Sequence, residues 1–217
     1  AGSKDGGGRP SATLAATRDA QQEFRSLRAQ WVAATDIERL ALEPRLNAFL
    51  RRHPRDERAR AVRVQLAWIA VARGDLARAR SLVSRVQGGP AGSTRDAAPV
   101  VEAAVALRAK KPDRALDLLA PLRGKIIDAD ERQAFGELQV AAAIAAKRYE
   151  DATRFMEEWL FATPPEDREA VRDRINGFLQ RVPALALEQG LEELDREAAK
   201  PDSDERRTAS RDWLRKV

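Results

Sequence analysis

Three short interruptions of helical periodicity constrain this chain more than any other feature. At Arg73-Gly74-Asp75, at Ala109–Ala115 and at Ala145–Ala152, apolar residues recur at helical spacing on both sides of a tight turn. Gly74 supplies the backbone freedom that a sharp helix-to-helix reversal needs. Ala79, Ala115 and Ala152 each sit early in the helix after the turn, and their spacings are 36 and 37 residues. A supersecondary unit that returns at a fixed interval reads as stacked antiparallel helix pairs, an all-α architecture. Such a stack offers surface for interaction and does not name its partner.

Composition fits that architecture. A 43% hydrophobic and 34% charged chain of 217 residues suits helices with narrow buried stripes and broad solvated faces. No run approaches the roughly 20 apolar residues of a membrane span, so no transmembrane helix is expected. Cysteine is absent and His53 is the single histidine, which removes thiolate nucleophiles, disulfides and most histidine-based metal or triad chemistry. No phosphate-binding loop, dinucleotide glycine motif or nucleophile elbow occurs. Adjacent acids such as Glu157-Glu158 read as solvated helix faces. The expectation is a non-enzyme with no catalytic, cofactor or metal residues.

Net charge is +5, and seven of the 39 basic residues are Lys, the rest Arg. Acids are interleaved with them, as in Arg55-Asp56-Glu57-Arg58, which argues against the continuous stripe that tracks phosphates and hence against a nucleic-acid partner. The chain starts at Ala1 rather than Met, as a processed product would.

Residues 1–14 are rich in Gly, Ser and Pro and read as a flexible leader. Residues 15–199 read as the helical domain, and 200–217 as a linker followed by a charged terminal helix whose docking residues are Trp213 and Leu214. The first helix, from Ala15 to Ala34, carries Phe24, Leu27, Trp31 and Val32 on one face. Asp36–Leu40 makes a short turn, and Pro44 starts a helix that brings Leu46, Phe49 and Leu50 inward and ends at His53-Pro54. His53 itself reads as an exposed helix-end residue.

Residues 87–94 break the series, Pro99 belongs in the first turn of the next helix, and Pro121 ends the helix begun at Pro112. Asp128 and Glu131 have capping-box spacing. Phe155, Met156, Trp159, Leu160 and Phe161 form the densest apolar cluster. Thr163-Pro164-Pro165-Glu166 reads as an N-cap opening a helix from Pro164 to Arg181. A further helix after Pro183 turns Leu185, Leu187, Leu191 and Leu194 toward the stack.

Residues 56–165 resemble tetratricopeptide repeats, whose period is roughly 34 residues. Leu66, Ala67, Gly74, Leu76 and Ala79 fall at that family's packing positions, and Tyr149, Ala152 and Pro164 match the second half of its motif. Gln139 and Glu102 depart from it, standing where an apolar packing residue is usual. The resemblance implies a TPR-like α-solenoid. By superposition on the hairpin motif it also implies a partner-binding groove lined by Val64, Trp68, Val71, Glu137 and Ile144.

The order of features is also similar to the N-terminal helical region of penicillin-binding-protein activator lipoproteins of the LpoA type. Those features are the leader, the ARGDLARA and AKRYEDA turns, the LAPLRGKIIDADE segment and the closing Trp213-Leu214-Arg215-Lys216-Val217. That resemblance implies a periplasmic scaffold with a lipid anchor preceding Ala1, a binding-protein-like domain following Val217, and a penicillin-binding protein as partner. No individual residue role comes with it. Two alternatives stay open: an assembly factor for outer-membrane or secretion complexes, and an Arg-mediated binder of nucleic acid or acidic polymer.

Overall fold

A computed structural model of the chain describes residues 10–87, 93–125, 129–198 and 205–216. Among them are twelve α-helices and two 3-10 turns, with no strand, so the protein is all-α. The chain divides into two compact units, Ala1–Pro90 and Ala91–Val217.

The first unit contains α1 (Pro10–Ala33), α2 (Asp36–Ala41), α3 (Glu43–Arg52), α4 (Ala59–Ala72) and α5 (Leu76–Gln87). α1 thus begins before Ala15: residues 10–14, assigned to the leader, are helical, and 1–9 lie outside the described residues. The short turn after α1 is a helix with a full capping box. The Glu38 N–H donates to the Thr35 hydroxyl, while the Thr35 N–H donates back to the Glu38 carboxylate at 2.7 Å. The Thr35 backbone, then its hydroxyl, holds the Glu38 carboxyl below its ordinary value.

Pro44 lies in the first turn of α3, which buries Leu46 and Phe49 completely. These two pack with Leu27, Trp31, Val62, Leu66 and Ile69 into the core of the unit, with Leu50 and Trp68 partly buried against it. Fully burying a side chain of this size contributes about 1.5–3 kcal/mol. α4 and α5 fold as a hairpin, with α3 on α4 and α1 on α3. Glu43, buried at the start of α3, takes ion pairs from Arg73 in the hairpin turn and from Arg78 on α5, which ties the hairpin to α3.

The second unit contains α6 (Ser93–Arg108), α7 (Pro112–Leu119), α8 (Ala129–Ala145), α9 (Tyr149–Ala162), α10 (Arg168–Leu179), α11 (Ala184–Ala198) and α12 (Glu205–Lys216). A 3-10 turn at Ala120–Leu122, entered through Pro121, ends α7. α6 packs on α7 and α8, α7 on α8, and α8 on α9; α10, α11 and α12 all pack on α9. Met156 and Leu160 of the apolar cluster are at most 1% exposed, so α9 is the central helix of this unit.

Three sequence expectations change here. Pro99 stands inside α6, not in its first turn. Thr163 does not open the next helix: its hydroxyl donates back to the Trp159 carbonyl at 2.7 Å, and α10 begins only at Arg168, after a 3-10 turn at Pro165–Asp167. The hydroxyl of a Thr can serve the end of one helix or the start of the next, and here the turn behind it wins. Leu185 is 66% exposed, whereas Leu191 and Leu194 are buried, and Val32, expected on the apolar face of the first helix, is likewise 50% exposed. The capping pair Asp128–Glu131 involves Asp128, which lies outside the described residues.

The three turns share one geometry. Gly74, Lys110 and Lys147 have φ of +79°, +58° and +59°. The amides of Gly74, Lys110 and Lys147 donate to the carbonyls of Val71, Leu107 and Ile144, each at 3.0 Å. The next amides, of Asp75, Lys111 and Arg148, reach back to Ala70, Ala106 and Ala143 at 2.9 Å. This is a Schellman cap repeated three times. Ala79, Ala115 and Ala152 then donate to Asp75, Lys111 and Arg148, starting each second helix in the same register, and all three alanines are 0% exposed.

Candidate functional site

The residues expected to line a groove fall in different settings. In the first unit Val64 and Val71 are buried and Trp68 rests partly buried on the core. In the second, Ile144 is buried and Glu137 is half-exposed, ion-paired with Arg174 of α10.

His53 is not the exposed helix end that the sequence suggests. Its Nε2 lies 3.2 Å from a Glu23 carboxylate oxygen on α1, and its ring packs 5.0 Å from that of Phe49 one turn earlier. The local sequence could not show this, because Glu23 arrives from another helix. Among the described residues no group of three His, Asp or Glu side chains is placed to hold a metal ion.

An open concavity of the second unit lies between α8 and the segment running from α9 into α10. It is a cleft of about 510 Å³, within the roughly 300–1,000 Å³ of ligand-binding pockets. Its floor is built by a close approach. Gly136 is buried in α8, and a Cβ there would overlap the indole of Trp159 on α9, so only glycine lets the ring lie against the helix backbone. Phe135, Phe161, Pro164 and Val171 extend the apolar wall.

Polar groups enter the cleft from one stripe of α8. Arg132, Gly136 and Gln139 stand at i, i+4 and i+7, which places them along one face of the helix. Gln139 is 4% exposed as a whole, and its carboxamide is not one of the buried unpaired groups among the described residues. Arg132 is half-buried on the same face. On the opposite rim Arg123 lies 4.6 Å over the Phe155 ring and 3.5 Å from Glu158, which neutralises that corner. Asp167 is exposed at the far edge.

The sequence carried two signals for this site. Gly136 interrupts a helical pattern, and Gln139 is a polar residue within an otherwise apolar stretch of it. Both departures lie on the cleft. Trp159 reads as core from its spacing and is 5% exposed, and it also borders the cleft.

A second charged feature sits in the first unit. Arg60 and Arg63 are one turn apart on α4, and Arg85 lies across the hairpin on α5. Burial, then the like charges of Arg85 and Arg60, pushes the Arg63 guanidinium below its ordinary value. The Arg63 guanidinium donates to the Pro54 carbonyl at 3.4 Å. Comparison with known proteins finds no matching family model, no matching curated protein and no matching solved structure.

Proposed function

We propose that this chain is a non-enzymatic scaffold that binds another protein through the cleft between α8 and the α9–α10 segment. The observation that carries the reading is the cleft itself: an apolar concavity with two polar side chains, Gln139 and Arg132, along one face of α8. An apolar wall with a few convergent polar side chains is the usual make-up of a binding cleft.

The resemblance to penicillin-binding-protein activators supplies the biological setting: a periplasmic scaffold, held at the outer membrane by a lipid, that regulates a peptidoglycan synthase. The test is direct. Purified chain is added to a purified bifunctional peptidoglycan synthase of the same organism, and binding and glycan polymerisation and cross-linking rates are measured. Saturable binding with a changed rate is expected, and absence of both removes the cell-wall reading.

The Arg60, Arg63 and Arg85 cluster favours a second reading, contact with a polyanion. Binding to heparin or to DNA that falls steeply with added salt would support it, because counterion release dominates such contacts. Salt-independent or absent binding removes it.

A further inference from the structure

We infer that α12 is a releasable strap: it opens from α9 while the rest of the unit stays folded, and its seating sets how firmly α10, which borders the cleft, is held. The bearing of this on binding rests on the scaffold reading, and the opening itself does not.

α12 reaches three helices at once. Arg211 pairs with Glu157 of α9 at 3.1 Å, Arg215 pairs with Asp195 of α11, and Arg172 of α10 lies 5.4 Å over the Trp213 ring. Among the described side chains of α12, residues 209–216, those of Ser210, Arg211 and Leu214 belong to buried residues. One leucine is therefore the apolar anchor of this helix, and charges supply the rest.

Those charges position the helix more than they hold it. Taking both members of the Arg211–Glu157 pair out of water costs free energy that offsets much of their attraction. The Arg215–Asp195 pair is half-exposed, where an ion pair contributes little. The contact with α10 carries a cost of its own. The Arg172 Nε, next to the guanidinium carbon that stacks on Trp213, is buried with no hydrogen-bond partner among the described residues. Lifting Trp213 lets water reach that donor, so the open state is relieved of a penalty that the closed state bears. An element with few buried apolar contacts opens before the core does.

α10 follows because it has little else to rest on. Val171 and Ile175 are its buried residues, its ion pair to α8 through Arg174 and Glu137 is half-exposed, and the Asn176 Oδ1 is buried without a partner among the described residues. Val171, which lines the cleft, is the residue before Arg172. The same adjacency recurs on α9, where Glu157 receives α12 and the next two residues, Glu158 and Trp159, border the cleft. Neighbouring residues of the same two helices thus meet the strap and the cleft, which is the contiguity that coupling between two sites uses.

Hydrogen exchange of the full chain, read by mass spectrometry under native conditions, should show α12 exchanging at least tenfold faster than the central turns of α9. Leu214→Ala should speed α12 by a further tenfold and α10 several-fold, with α6 and α7 unchanged. Arg172→Met keeps an unbranched side chain against Trp213 and removes the unpaired donor, so it should slow the exchange of α12 several-fold. Circular dichroism checks that each variant is folded, and if Leu214→Ala is not, the wild-type profile and Arg172→Met decide. Exchange of α12 in step with α9, an α10 indifferent to Leu214→Ala, or faster exchange of α12 in Arg172→Met overturns the inference. No partner enters this experiment, so a failed synthase assay leaves the strap standing, and a failed exchange result leaves the scaffold reading standing.

Discussion

Lys110 and Lys147 occupy a backbone region that L side chains enter at a cost of roughly 1–2 kcal/mol, yet they hold the same position as Gly74 in the same turn. Replacing either Lys by Gly relieves the clash and adds back some chain entropy in the unfolded state. The expected net effect is a gain of about 0.5–1 kcal/mol each, read from urea unfolding at constant m-value. Gly74→Ala should lose a similar amount.

The helical glycines divide differently. Gly177 is exposed in α10 with nothing within 4 Å of where a Cβ would stand, so Gly177→Ala should stabilise by about 0.5–1 kcal/mol. Gly190→Ala should destabilise by about 1–3 kcal/mol, because its Cβ would come within 2.8 Å of the Thr153 hydroxyl oxygen, itself donating to the Tyr149 carbonyl. Calorimetry of the two variants, same substitution and opposite sign, checks the packing directly.

At the scale of elements, the attachment of α12 is the least expected feature. Trp213 and Leu214 read as its docking residues, and Leu214 is indeed 1% exposed. The polar half of the contact is an ion pair between Arg211 and Glu157, 3.1 Å apart with side chains 6% and 0% exposed. Removing one member of such a buried pair weakens the seat of the other, although Arg211 also faces Asp195 at 4.0 Å, so Arg211→Ala or Glu157→Gln should cost about 3 kcal/mol. The double change Glu157→Met with Arg211→Leu should recover most of that loss, and a double-mutant cycle measures the difference.

Helix existence was legible because periodicity, proline and the αL turns act locally: α3, α4, α5 and α7 begin and end within a few residues of where their sequence signals lie. What was not legible came from groups that meet across elements. Glu157 reads as a solvated acid from its own helix and is buried by α12, His53 is enclosed by Glu23, and Thr163 turns backward. For the cleft, the odd residues were visible in the sequence, but their convergence on Trp159 was not.

At the scale of the molecule, the division at Pro90 and Ala91 follows the Gly88-Gly89-Pro90 segment, and each unit has fully buried large side chains of its own, Leu46 and Phe49 in one, Met156 and Ile175 in the other. A fragment of residues 91–217 should therefore unfold cooperatively in urea, with the helical signal of a folded all-α protein. A non-cooperative, sloping transition would mean that the second unit needs the first.

The pressing of Trp159 against Gly136 carries a consequence for the history of this chain. Neither position can drift alone: a side chain at 136 demands a smaller ring or none at 159, and the change would also reshape the cleft. Among relatives, these two positions should vary as a pair, and lineages that exchange them together should also differ in the shape of the cleft.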